Sequence, residues 1–154
     1  MKRRDAIISL GCMAVIGPSL FSCKERSDTM KQEINTANAP KAIGPYSQGI
    51  IANGFVFASG QIPLDPATGE LNIRSVEEQA HLALTNLKAV IEASGSSMDL
   101  VVKCTVFLQN MDDYGAVNAI YGEYFKSPYP ARAAIQVARL PKDVKVEIEA
   151  IAIL

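Results

Sequence analysis

Hydrophobic positions recur along this chain in two rhythms, period two and helical spacing, and the alternation between them predicts the order of its elements. Ile50-Ile51-Ala52 and Phe55-Val56-Phe57-Ala58 flank Asn53-Gly54. Both turn positions tolerate positive φ, so the spacing predicts a two-residue β-hairpin. Val76, Ala80, Leu84, Leu87 and Ile91 then recur at helical spacing, with Ser75 and Glu78 in capping-box register and Gly95 as a stop. Period two returns over residues 100–109. There Val102, Cys104, Val106 and Leu108 form an apolar face, and Val101, Lys103, Thr105, Phe107 and Gln109 a mixed one suited to another subunit. A second helix is predicted over residues 114–126, burying Val117, Ile120, Tyr121 and Phe125, and Pro128 and Pro130 end it. Two strand-like runs close the chain, residues 129–141 and 144–154, joined by a Leu-Pro-Lys-Asp turn. Strands, helix, strand, helix, strands is an α+β order, a mixed sheet covered on one side by two helices.

Residues 1–22 stand apart from this pattern. Lys2-Arg3-Arg4 precedes a mostly apolar run from Ala6 to Phe21, the form of a secretory signal and short for a membrane span. Leu20-Phe21-Ser22-Cys23 reads as a lipobox, so Cys23 is the expected lipidation site and first mature residue, anchoring the protein in the bacterial cell envelope. Residues 23–33 form a polar tether, and residues 34–154 the folded domain. The alternative is translation from Met30, which gives a cytoplasmic protein.

With 154 residues, 49% of them hydrophobic, the chain is long enough for a single core. Its net charge is -1, and residues 1–22 carry Lys2, Arg3, Arg4 and Asp5, which leaves the remainder at -3. No broad basic footprint for nucleic acid is present. Cys12 falls in the signal and Cys104 in an apolar strand, where it reads as a small core residue. No cysteine–histidine cluster has metal-site spacing, and His81, the one histidine, sits on the first predicted helix without a nucleophile in its motif.

Candidate chemistry concentrates near the end. Arg132 shares a strand face with Ala134 and Gln136 in a run that otherwise reads as buried, and Glu147 and Glu149 share a face with Ile151 and Ile153. On consecutive strands a guanidinium and a carboxylate can be brought together. They form either a structural ion pair or a site in which Arg132 grips a carboxylate bidentately and a nearby glutamate acts as a general base or orients a water. Gly60, at the end of the hairpin, either lets its amide approach a ligand or bends the chain before Pro63. Asn118 lies beside the apolar stripe of the second helix, and Tyr46 sits in the Ile43-Gly44-Pro45-Tyr46 turn.

Pro130-Ala131-Arg132, Val137-Ala138-Arg139-Leu140-Pro141 and Val146-Glu147-Ile148-Glu149-Ala150-Ile151-Ala152 resemble the signature of the reactive intermediate deaminase A (RidA) family. The resemblance extends through Ala42-Ile43-Gly44-Pro45-Tyr46-Ser47-Gln48-Gly49 and Ser59-Gly60-Gln61-Ile62-Pro63 and covers the chain from about Ile34 onward. It implies a chorismate mutase-like fold, a homotrimer with clefts between subunits, and hydrolysis of 2-aminoacrylate and 2-iminopropanoate to a 2-oxo acid and ammonia. No metal or organic cofactor is implied. By motif position Arg132 is the carboxylate-binding arginine and Glu147 the residue that positions or activates water. Tyr46, Ser59, Gly60 and Asn118 match cleft-lining positions, and Ala134 retains a backbone contact. Ala133-Ala134 replaces a Ser-Cys pair often seen in the family, and the loop before Tyr129 is short, both of which bear on substrate preference. Two rival readings remain: a trimeric module that binds small carboxylates without turnover, and an endoribonuclease.

Overall fold

The computed structural model describes residues 31–72 and 74–154. The signal and the Cys23 lipobox lie outside the described residues. Six strands form one sheet: β1 Gln32–Ile34, β2 Gly49–Ala52, β3 Phe55–Gln61, β4 Val101–Leu108, β5 Ala131–Gln136 and β6 Val146–Ile153. Their order is β1-β2-β3-β6-β4-β5, antiparallel except for the parallel β4–β5 pair. Two helices, α1 Val76–Ala93 and α2 Tyr114–Tyr124, complete the mixed α+β fold, with α2 forming the crossover between the parallel strands.

The hairpin forms at Asn53 and Gly54, with φ of 52° and 78° and Ala52 opposite Phe55. Helix α1 begins where the Ser75 hydroxyl accepts from the Glu78 backbone, and ends at Ser94 with Gly95 at φ 89°. The carboxylate of Glu78 turns to Arg74 rather than completing the capping box. Leu84, Leu87, Val90 and Ile91 of α1 meet Val56 of β3 and Val146, Ile148 and Ala152 of β6. Helix α2 adds Val117 and Tyr121 to this core, and ends two residues earlier than predicted, with Phe125 buried as its C-cap.

Four further differences from the sequence reading follow from how the strands pair. Gln32 and Glu33, assigned above to the tether, pair with β2 in the short strand β1. The register between β4 and β6 shifts between Val101 and Lys103. That bulge turns Val102 outward and puts Val101 into the core in its place. The last two strands are not neighbours, because β6 inserts between β3 and β4 and leaves β5 at the sheet edge. Strand β5 is accordingly half-exposed rather than buried.

The helix-covered face of the sheet is the core face. On the other, Phe55, Phe57, Ile135 and Ile153 are all more than 40% exposed, and Phe107 and Ile151 lie between them by register. Large side chains are thus packed under one face and left open on the other.

Candidate active site

The strand register puts the two charged candidates on opposite faces of the sheet. Arg132 pairs with Cys104 and Ala134 with Val106, and these in turn pair with Ala150 and Ile148 on the core face. Glu147 pairs with Phe107 and Glu149 with Thr105 on the open face. With β4 between their strands and the sheet between their side chains, Arg132 and Glu147 do not meet within one chain. The expectation that one chain brings them together is corrected. It rested on treating β5 and β6 as neighbours.

Arg132 emerges where the edge strand passes under α2. Its guanidinium carbon lies 4.5 Å from the centre of the Tyr121 ring and 5.6 Å from that of Tyr114, and Nη2 donates to the Tyr114 hydroxyl at 2.8 Å. No carboxylate pairs with it among the described residues. A cavity of about 380 Å³ opens beside it, lined by Asn118, Tyr121, Gly122, Tyr129, Pro130 and Arg132. Asn118 and Arg132 therefore share one cavity, as expected. Ala134 follows on the same strand face and packs against the core. Behind the guanidinium, the Tyr121 hydroxyl is buried without a hydrogen-bond partner among the described residues. Burial also pushes the Cys104 thiol up to about 12, so it stays protonated and is no nucleophile.

Glu147 belongs to a second cluster. Ala58 pairs with Ala150 and Gln61 with Ile148, so Ser59 and Gly60 together oppose Glu149 in a β-bulge. A Cβ on Gly60 would overlap Glu147 Oε1 and stand 2.8 Å from Cδ and 3.0 Å from Cγ. Gly60 is not among the positive-φ glycines. Its bareness makes room for the Glu147 carboxylate. Burial holds that carboxyl above the ordinary glutamate range, and the charge of Glu149 raises it further. No hydrogen bond or ion pair engages it among the described residues. Ser59 donates its hydroxyl to the Ser47 carbonyl at 2.7 Å, which fixes the Tyr46 turn against the bulge. Tyr46 is 49% exposed, its hydroxyl accepting from the Ile43 amide at 3.3 Å. A small recess joins Tyr46 and Gly60 with Lys41 and Ile43. Gln48 secures the preceding loop by donating to the carbonyls of Thr36, Ala39 and Pro40.

The expected residues thus fall into two half-sites. Arg132, Asn118 and Ala134 stand at the β5–α2 edge, and Glu147, Gly60, Ser59 and Tyr46 gather at the β3 bulge. His81 is in neither. It joins the helices, with Nδ1 3.0 Å from the Tyr124 hydroxyl and Nε2 3.2 Å from Glu123. Tyr114 escaped the sequence reading, which saw it only as a helix start; no short-range signal links it to a side chain 18 residues on. Tyr121 was seen only as core.

The profile of the family described as Endoribonuclease L-PSP matches residues 36–154. A RutC family protein of Pyrococcus horikoshii is 53% identical over 123 residues, 80% of this chain and 98% of the relative. The 2-iminobutanoate/2-iminopropanoate deaminase of Capra hircus is 49% identical over 127 residues, 82% of this chain and 93% of that one. Among solved structures, Escherichia coli TdcF with bound serine superposes with a TM-score of 0.77 at 48% identity, covering 80% of this chain and 98% of that one.

Proposed function

The chain belongs to the Endoribonuclease L-PSP family, and from that membership and its divided site we propose that it hydrolyses 2-imino and 2-enamino acids to 2-oxo acids and ammonia. The observation that carries this reading is Arg132: a guanidinium with no carboxylate partner among the described residues, set on an aromatic shelf at a cavity, suits a small carboxylate ligand. The relative named as an imine deaminase and the relative that holds serine support the same ligand class.

The site is completed between copies of the chain. The open apolar face supports assembly, and a homotrimer, as the family resemblance implies, lets the Arg132 edge of one copy meet the Glu147 bulge of the next. In that arrangement Arg132 binds the substrate carboxylate and leaves the iminium carbon facing Glu147. The ionised Glu147 takes a proton from water as its oxygen bonds to that carbon. Glu147 returns that proton to the nitrogen of the resulting 2-amino-2-hydroxy acid and, as the carbon–nitrogen bond breaks, takes the hydroxyl proton, so that the 2-oxo acid forms and ammonia leaves. The substrate is already electrophilic, so positioning and a proton shuttle through one carboxylate suffice.

Release of ammonia and 2-oxo acid from freshly generated 2-iminopropanoate tests this. Arg132→Ala is expected to lower kcat/KM by about 100-fold or more, since two charge-assisted hydrogen bonds to the carboxylate are lost. Full activity in that variant refutes the assignment. Carboxylate binding without any ammonia release favours the non-catalytic module instead. The ribonuclease reading finds less support: His81, the one histidine of the chain, is engaged between the helices and lies in neither half-site.

Residues 1–22 support a further part of the proposal, that the chain is cleaved before Cys23, lipidated there and held at the cell envelope. Fatty-acid labelling that persists in Cys23→Ala, or a mature chain starting at Met30, refutes it.

A further inference from the structure

We propose that Tyr114 is a positioning residue that sets the carboxylate affinity of the site by holding the Arg132 guanidinium; this deepens the deaminase reading and rests on it. An arginine on an edge strand has a long, freely rotating side chain, and bidentate recognition requires its plane to be fixed. Two contacts fix it here. The Tyr121 ring, itself buried in the core, stands 4.5 Å from the guanidinium carbon. The Tyr114 hydroxyl takes one Nη2 proton at 2.8 Å. The remaining N–H groups stay available to a ligand.

Tyr114 is itself anchored to the strand that carries Arg132. It opens α2 directly after the Met111–Asp113 turn, and in that turn the Met111 amide donates to Gln136 Oε1 at 2.9 Å. Gln136 ends β5 on the same face as Arg132. Helix start and arginine strand are thus tied twice, side chain to backbone and side chain to side chain. No other side chain hydrogen-bonds to Arg132 among the described residues, so the phenolic oxygen has no understudy.

Full-length protein and its Tyr114→Phe variant are compared for 2-iminopropanoate kinetics and, by calorimetry, for binding of pyruvate as a carboxylate probe. The variant keeps the ring and its packing and loses one hydrogen bond to a charged group at an exposed position. KM and the pyruvate Kd are expected to rise about five- to tenfold, with kcat within about twofold. In an Arg132→Ala background the same substitution is expected to change neither constant, because Tyr114 acts only through Arg132. Unchanged KM and Kd in Tyr114→Phe, or an equal loss in both backgrounds, overturns the inference while leaving the deaminase reading standing. Wild-type protein that neither binds pyruvate nor releases ammonia overturns both.

Discussion

Two inactive variants should restore activity when mixed. The perturbations are Arg132→Ala, which empties the edge half-site, and Glu147→Ala, which empties the bulge half-site. Arg132 is on the core face and Glu147 on the open face, so no rotamer carries one to the other within a chain. If each site takes its arginine from one copy and its glutamate from the next, a mixed trimer can hold sites with both. In trimers assembled at random from equal amounts, the arginine side is intact half the time and so is its neighbouring glutamate side, giving about a quarter of wild-type sites. The variants are unfolded together, refolded, and assayed for ammonia release against each variant refolded alone. A mixture near a quarter of wild-type kcat supports the shared site. A mixture no more active than the average of its parents refutes it, whichever residues prove catalytic.

Three further outcomes follow from particular contacts. In Gly60→Ala the new Cβ, 2.8 Å from Glu147 Cδ where ordinary carbon contacts are roughly 3.5–4.0 Å, forces the carboxylate away; kcat should fall about 10- to 100-fold with KM little changed, and a wild-type kcat refutes the reading. Because Glu147 is held above the ordinary glutamate range in the free protein, the acid limb of kcat/KM against pH should lie above that range, and Glu149→Gln should move it down; an unmoved limb refutes the coupling. The raised value also means that the folded chain keeps this proton to higher pH than the unfolded chain, so stability from Glu147 is present below the ordinary range and lost as pH rises through the raised value, a slope that Glu147→Gln should flatten in chemical denaturation. Leu84→Ala, fully buried on α1, should cost about 3–5 kcal/mol in the same measurement with no change in the ligand contacts of either half-site, and a cost below about 1 kcal/mol would contradict its place in the core.

What the sequence made legible is what local chemistry decides. Asn53-Gly54 dictates its turn through backbone freedom, and Ser75 and Gly95 bracket α1 through caps, so those elements lie where the pattern predicts. The bulge at Val102 is invisible to a period-two reading, because Val101 and Val102 are equally apolar and only the strand pairing decides which of them enters the core. The Leu-Pro-Lys-Asp turn misleads in another way. It looks like a hairpin, but Lys142 and Asp143 at φ 56° and 59° redirect the chain across the sheet to the far side of β4. The identities of the site residues were readable as motif. Their division between two faces was not, since sheet order is set by pairings distant in sequence.

That division gives the site a charge pattern suited to its proposed substrate. Among the described residues no anion pairs with Arg132 and no cation with Glu147; left apart, each is incomplete. An imino acid carries both complements, a carboxylate for the arginine and an iminium for the glutamate. Assembly of the proposed trimer would further desolvate Glu147 and so favour its protonated form, whereas a bound iminium favours the ionised form that can accept a proton from water. The substrate therefore populates the ionised form of the carboxylate that acts on it. Once ammonia has left, the 2-oxo acid keeps its carboxylate but no longer carries the cation, so its hold on the glutamate half is lost while Arg132 alone retains it. On this reasoning product affinity should depend on Arg132 and Tyr114 and be nearly indifferent to Glu147, so that pyruvate binding to Glu147→Gln within about twofold of wild type supports the division of labour. Pyruvate binding weakened as much by Glu147→Gln as by Arg132→Ala would mean that the two halves act as one anion site and that the proposed roles are wrong.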